Sequence, residues 1–174
     1  MARLGPLAMT PRSLGLLAAA VTLLIDQANK LWLIYVYGIE VRQPVPLTPF
    51  LDLVFAKNPG ISYSLLRAET EGQKLGLLAF TLAASAFLGI WLWRAKTKSA
   101  ALALGLIVGG ALGNACDRFA YGYVADFYHF HAGSFSWYVF NLADAAIVGG
   151  VLVLIYDSLS ASKTEPEAGR APGE

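Results

Sequence analysis

The chain has 174 residues, of which 56% are hydrophobic and 14% charged, with a formal net charge of +1 and a mean hydropathy of +0.54. A soluble domain carries about 25% charged residues, so this apolar surplus must face lipid. The near-neutral balance gives no reason to expect nucleic acid or an acidic partner. The lone cysteine, Cys116, excludes an internal disulfide and reads as a small residue at a packed helix end.

Four stretches are long enough to cross a bilayer, which takes about 20 helical residues. The expected fold class is therefore an all-α membrane protein of four transmembrane helices, with a small β element in the first extracytoplasmic loop. The first stretch, residues 13–37, is interrupted by Asp26, Gln27, Asn29 and Lys30. Arg3 and Arg12 before an apolar run look like a secretory signal, yet no small-x-small site follows, so a retained helix is expected. In the loop 38–73, Pro44, Pro46 and Pro49 precede FLDLVFA, which has the β-branched and aromatic enrichment of strands. NPG, Asn58 to Gly60, then signals a turn. A small sheet on the outer membrane surface is expected, with an edge suited to an extended peptide.

Residues 74–93 run uninterrupted to Trp91 and Trp93, a plausible interfacial belt. Residues 100–116 carry Gly105, Gly109, Gly110 and Gly113, spaced for close helix approach. The last stretch, 138–159, opens on FNLAD and is apolar after Ala145. Residues 1–160 read as a single integral-membrane domain, and 161–174 as a disordered cytoplasmic tail. Arg94, Lys96 and Lys98 crowd the second connection, with Arg3, Arg12, Lys163 and Arg170 at the ends. Arg42, Lys57, Arg67 and Lys74 are diluted over the opposite side. This bias places both termini in the cytoplasm.

The polar residues converge in depth. Entering from inside near Ser13, the first helix carries Asp26 roughly 20 Å along its axis, in the outer part of a ~30 Å core. Asp117 and Arg118 close the outward-running third helix. Asp144 lies roughly 9 Å into the inward-running fourth, and Asp126 belongs to the short connection between those two. Intramembrane ionisable residues are functional candidates, yet Asp26 and Lys30, at i and i+4, suit a structural or orienting pair. Asp117 and Arg118 suit a network anchoring a loop. Asn114 and Asn141 fit two roles equally, glue between helices or positioning of a substrate carbonyl. Asp126 in YGYVADF and Asp144 in FNLADAA have no lysine or arginine at i±3 or i±4. They point to acid–base catalysis by a carboxylate pair at a membrane surface, as in an aspartyl protease.

Other chemistries fit less well. His129 and His131 alternate as on a strand, but the i, i+4 spacing of HExxH is missing and only one thiol is present. Interfacial packing is expected of them, with no metal or cofactor. Ser134 and Ser136 lack a nucleophile motif. The alternative from another class is a small proton-coupled transporter subunit using Asp26, Asp117 and Asp144 as a relay. The acids gather at one depth instead of spanning the bilayer, which disfavours it.

Four blocks resemble the bacterial lipoprotein signal peptidase (signal peptidase II) family, in the same order. DQANK at Asp26 to Lys30 is similar to the family's Asp-Gln-x-x-Lys, and NPGISYSLL from Asn58 to its Asn-x-Gly block. GGALGNACDRFAYGYVADF, Gly109 to Phe127, resembles its longest signature, and FNLADAAI its last. The resemblance implies a four-helix, multi-pass protease of the bacterial inner membrane. It would cut diacylglyceryl-modified prolipoproteins before the modified cysteine, at the outer leaflet and among membrane lipid, as a monomer and without metal or cofactor. It maps the catalytic dyad onto Asp126 and Asp144. Supporting roles fall to Asp26, Asn58, Gly60, Asn114, Arg118 and Asn141. Pro59 stands where threonine is frequent, and ISY replaces a more typical Ala-Ala-Phe, which bears on substrate specificity.

Overall fold

Thr10 opens the first helix: its hydroxyl accepts the Ser13 N–H at 3.2 Å, and Pro11 sits in the first turn, where its missing N–H leaves nothing unpaired. The computed structural model describes residues 9–60, 68 and 70–162. In it α1 (Pro11–Leu31) continues as a π-helical stretch, Trp32–Tyr37, that ends at Gly38 with φ 68°. There follow α2 (Ile39–Arg42), β1 (Val45–Thr48), β2 (Leu51–Asn58), α3 (Glu71–Arg94), α4 (Lys98–Tyr121), β3 (Val124–Ala132), β4 (Phe135–Phe140) and α5 (Leu142–Ser162). Pro11–Tyr37, Glu71–Arg94, Lys98–Tyr121 and Leu142–Ser160 are long and apolar enough to cross a membrane. The chain is a multi-pass membrane protein.

The helix α4 is the hub, packing against α1, α3 and α5, while α3 and α5 barely touch among the described residues. Its glycines explain the closeness. A Cβ on Gly109 would lie 2.5 Å from the Ala19 carbonyl oxygen, and one on Gly110 would lie 2.5 Å from that of Ala143. In lipid, apolar faces gain little by meeting one another, so close backbone packing supplies much of the helix association. Leu24, Phe80, Phe87 and Leu152 point outward, toward lipid.

The sheet is antiparallel in the order β1-β2-β3-β4. Ala56 faces Asp126, Asn58 faces Val124, and Tyr128 faces Phe140. It extends the expected β element with two strands from the last connection, whose VADFYHF and FSWYVF runs are rich in aromatic and β-branched residues. A turn with Gly133 at φ 60° joins them. Leu33, Ile39, Leu53, Ala125 and Phe127 form a buried cluster between the sheet and the end of the first membrane helix. The Tyr128 hydroxyl donates to Asn29 at 3.1 Å.

Two boundaries differ from the sequence reading in ways that matter for the site. The helix α4 runs past residue 116 to Tyr121, where Gly122 at φ 74° ends it. Asp117 and Arg118 thus lie within its last turns and do not close it. The helix α5 begins at Leu142, because Tyr138 to Phe140 are committed to the sheet. Asp144 is therefore in the first turn, about 3 Å along the axis. Residues 161 and 162, expected in the tail, are the last of α5. The remaining tail, 163–174, and the ISY replacement at 61–63 lie outside the described residues.

Candidate active site

The sheet end of the bundle holds a buried polar cluster. Lys30, 2% exposed, extends its ammonium between Asp26 and Asp117, which are 0% and 1% exposed, with both N–O distances 2.8 Å. Its third contact is Asn114 Oδ1 at 3.2 Å, which accounts for all three of its N–H groups. Gln27 Nε2 donates to Asp26 at 3.2 Å, Asp117 at 3.0 Å and the Gly113 carbonyl at 3.1 Å. The expected Asp26–Lys30 pair is real but incomplete, because α4 brings a second acid to the same cation. Burying charges is costly and tolerated only when every partner is present.

The cluster holds two backbone amides. Asp117 Oδ2 accepts the Ala125 N–H at 3.0 Å, and Asp26 Oδ1 accepts the Ala143 N–H at 2.9 Å. Each alanine directly precedes one of the two singled-out acids, Asp126 and Asp144. The Lys30 cluster thus fixes the start of β3 and the start of α5 against the same charge.

Carboxamides join the two acids. Asn141 Nδ2 donates to Asp126 Oδ1 at 2.6 Å and to Asn114 Oδ1 at 3.1 Å. Asn114 Nδ2 donates to Asp144 Oδ1 at 2.9 Å. Asn141 also caps α5: its Oδ1 accepts the Asp144 N–H at 2.9 Å, while its own N–H reaches Asp144 Oδ2 at 3.2 Å. This reciprocal arrangement follows the capping-box pattern. Because an ammonium only donates, Lys30 forces the oxygen of Asn114 toward itself and the nitrogen toward Asp144. Asn58 Nδ2 donates to Asp126 Oδ2 at 3.0 Å, and its Oδ1 accepts the Gly60 N–H at 3.1 Å.

Asp144 borders a cavity of about 300 Å³, shared with Asn58, Gly60, Asn114, Arg118 and Tyr138. Asp126, 2% exposed, lies behind the carboxamides of Asn58 and Asn141 and is not among the cavity's lining residues. The Arg118 guanidinium donates to the Gly60 carbonyl at 3.0 Å and to that of Asn114 at 3.4 Å, and its buried Nε–H meets no hydrogen-bond partner among the described residues. Burial, and next the negative charge of Asp144, push the Asp126 carboxyl up to about 7, against the pull of Asn58, Asn141 and Lys30. A carboxyl of that pKa exchanges its proton near neutrality, as a general acid or base requires.

All eight residues singled out by sequence, Asp26, Asn58, Gly60, Asn114, Arg118, Asp126, Asn141 and Asp144, fall in this one region. Sequence reasoning left out Tyr138 and Thr81, which also line the cavity; neither stands in a polar motif that marks it. His129 and His131 lie on the sheet, where Ser136 approaches the first at 2.8 Å and Asp52 the second at 3.1 Å. Among the described residues no group of three His, Cys, Asp or Glu is arranged to hold a metal ion. Cys116 is exposed, unlike the packed position expected of it, because its face of α4 looks away from the bundle.

Residues 18–160 match the family described as signal peptidase (SPase) II. A lipoprotein signal peptidase of Methylocella silvestris is 67% identical over 166 residues, 95% of this chain and 97% of that protein. One from Beijerinckia indica is 62% identical, covering 92% of this chain and 94% of its own length. A solved bacterial membrane enzyme superposes with a TM-score of 0.72 over 90% of this chain and 94% of its own, at 22% identity, a likeness of fold. The chain belongs to the signal peptidase II family.

Proposed function

We propose that Asp126 and Asp144 are the catalytic pair with which this chain, an aspartic peptidase, removes signal peptides from prolipoproteins. The observation that carries the assignment is the link between the acids: Asn141 donates to Asp126, Asn114 donates to Asp144, and the two carboxamides are bonded to each other. Two carboxylates held this way do not both ionise cheaply, so the pair keeps one proton near neutrality. The ionised member takes a proton from water, whose oxygen bonds to the scissile carbonyl carbon, while the protonated member donates to the carbonyl oxygen. As the gem-diol collapses and the C–N bond breaks, one of its hydroxyls returns a proton to the pair while the pair gives one to the leaving amine, so the shared proton is restored. The proton belongs to the dyad and not to one residue. The pair supplies both acid and base, so the reaction needs no metal or organic cofactor.

Asn114 and Asn141 orient the carboxyls, and Asp26 holds the start of α5 in place. Arg118, Asn58 and Gly60 form the wall along which the peptide lies, and the Arg118 guanidinium adds positive character there. We place the sheet at the outer leaflet of the bacterial inner membrane, with both termini in the cytoplasm, from the basic crowding at Arg94, Lys96 and Lys98. In this reading the cleaved bond precedes a diacylglyceryl-modified cysteine, whose chains stay in lipid, and the protease acts as a monomer. The test is direct. Asp126→Asn and Asp144→Asn each abolish cleavage of a modified prolipoprotein while the protein stays folded and inserted. Substantial residual cleavage by either variant removes the dyad assignment.

A further inference from the structure

Asp144 stands between two hollows. One is the polar cavity of about 300 Å³. The other, about 380 Å³, is a groove between Trp137, Tyr138 and Phe140 of β4 and Val148, Gly149 and Leu152 of α5. Apart from Asp144, the tyrosine hydroxyl and the indole N–H of Trp137, those side chains are apolar. Tyr138, Asp144 and Val148 border both hollows, so a single ridge separates them. From Asp144 to Leu152 the groove follows α5 for about 12 Å, from the sheet toward hydrocarbon depth.

Two neighbouring glycines on α5 behave differently. A Cβ on Gly150 would lie 2.6 Å from the Ala103 carbonyl oxygen, so that glycine serves the contact with α4. A Cβ on Gly149 would meet nothing within 4 Å. No helix packing requires a glycine there, and its effect is to keep the floor of the groove low.

We propose that this groove is the subsite for one acyl chain of the lipid-modified cysteine, and that Gly149 sets how much chain it admits. The inference rests on the reading that the substrate cysteine carries a diacylglyceryl group. With the scissile carbonyl at Asp144, the residue supplying the leaving amine is the next one along, about 3.3 Å further in an extended peptide. Its side chain crosses the ridge at Tyr138 and Val148 and turns down along α5. The bilayer is as apolar as the groove walls, so the groove adds little to partitioning. Its contribution is order: a chain pinned beside α5 presents the amide to the pair in a fixed pose.

The test uses the full-length protein in nanodiscs with one prolipoprotein sequence in three forms, long-chain diacylglyceryl, short-chain diacylglyceryl and unmodified. Gly149→Leu is compared with wild type and with Gly89→Leu on α3, where an added Cβ also meets nothing within 4 Å. Gly149→Leu lowers the long-chain to short-chain ratio of kcat/KM by roughly fivefold to tenfold, and Gly89→Leu leaves that ratio unchanged. Trp137→Ala, which opens the opposite wall, moves the ratio the other way and serves if leucine at 149 impairs folding. An unchanged ratio in the Gly149 and Trp137 variants, with lipid dependence intact in wild type, assigns the groove to bulk lipid and overturns the proposal. Equal cleavage of modified and unmodified substrate by wild type overturns the lipid-modified reading itself.

Discussion

Replacing Asn58 with alanine moves the alkaline limb of the activity profile to higher pH. In the proposed mechanism the shared proton is the reason for the limb: with Asp126 pushed up to about 7 by burial and by Asp144, the pair loses its remaining proton above neutrality. Each further pH unit then lowers kcat/KM about tenfold. Asn58 Nδ2, 3.0 Å from Asp126 Oδ2, favours the charged carboxylate and holds the pKa down. Its removal raises the pKa, so the protonated form survives to higher pH. A hydrogen bond to a charged group contributes about 1.5–3 kcal/mol, and about 1.4 kcal/mol corresponds to one pKa unit. The limb should therefore rise by about one to two units. The assay is kcat/KM for a modified prolipoprotein in detergent from about pH 5 to about pH 9, with Asn58→Asp omitted because it adds a competing charge. A limb that stays in place or moves to lower pH refutes the reasoning, whatever happens to the absolute rate.

The other expectations concern the scaffold. Lys30→Met leaves Asp26 and Asp117 buried without their cation and lowers stability by about 3–5 kcal/mol, read by thermal unfolding in detergent. The double variant Asp26→Asn with Lys30→Met preserves the cluster's net charge and recovers part of that loss; no recovery would show that charge balance is not what the lysine supplies. Gly110→Ala drives a methyl toward the Ala143 carbonyl, 2.5 Å away, displacing the residue just before Asp144. It lowers kcat about tenfold or more with little change in KM, whereas Gly76→Ala, where a Cβ meets nothing within 4 Å, has no such effect.

Much of this fold was legible because a membrane span is a matter of length and apolarity, which residues 74–93 display plainly. The convergence of Asp26, Asp117 and Asp144 was also legible, since rise per residue converts spacing into depth. Contact was not. Lys30 sits one helical turn from Asp26, and that local pairing hid its second acid, Asp117, because sequence carries no direct mark of which α4 face meets α1. The strand β4 escaped because Tyr138 and Phe140 read equally well as the start of an apolar helix. Only their pairing with β3 decides between the two, and strand preference is set more by such cross-strand neighbours than by the residues themselves. The role of Asn141 as a cap was discoverable: an asparagine three residues before an acid, at the edge of an apolar run, is a helix-start signature.

One consequence follows from the two alanine amides tethered to Asp117 and Asp26. Among the described residues, the hydrogen bonds that space the carboxyls of Asp126 and Asp144 come from α1, α4, the sheet and the start of α5, and none comes from α3. The helix α3 packs on α4 and walls the cavity through Thr81, so a substitution at that position reshapes the wall without removing a hydrogen bond from the brace.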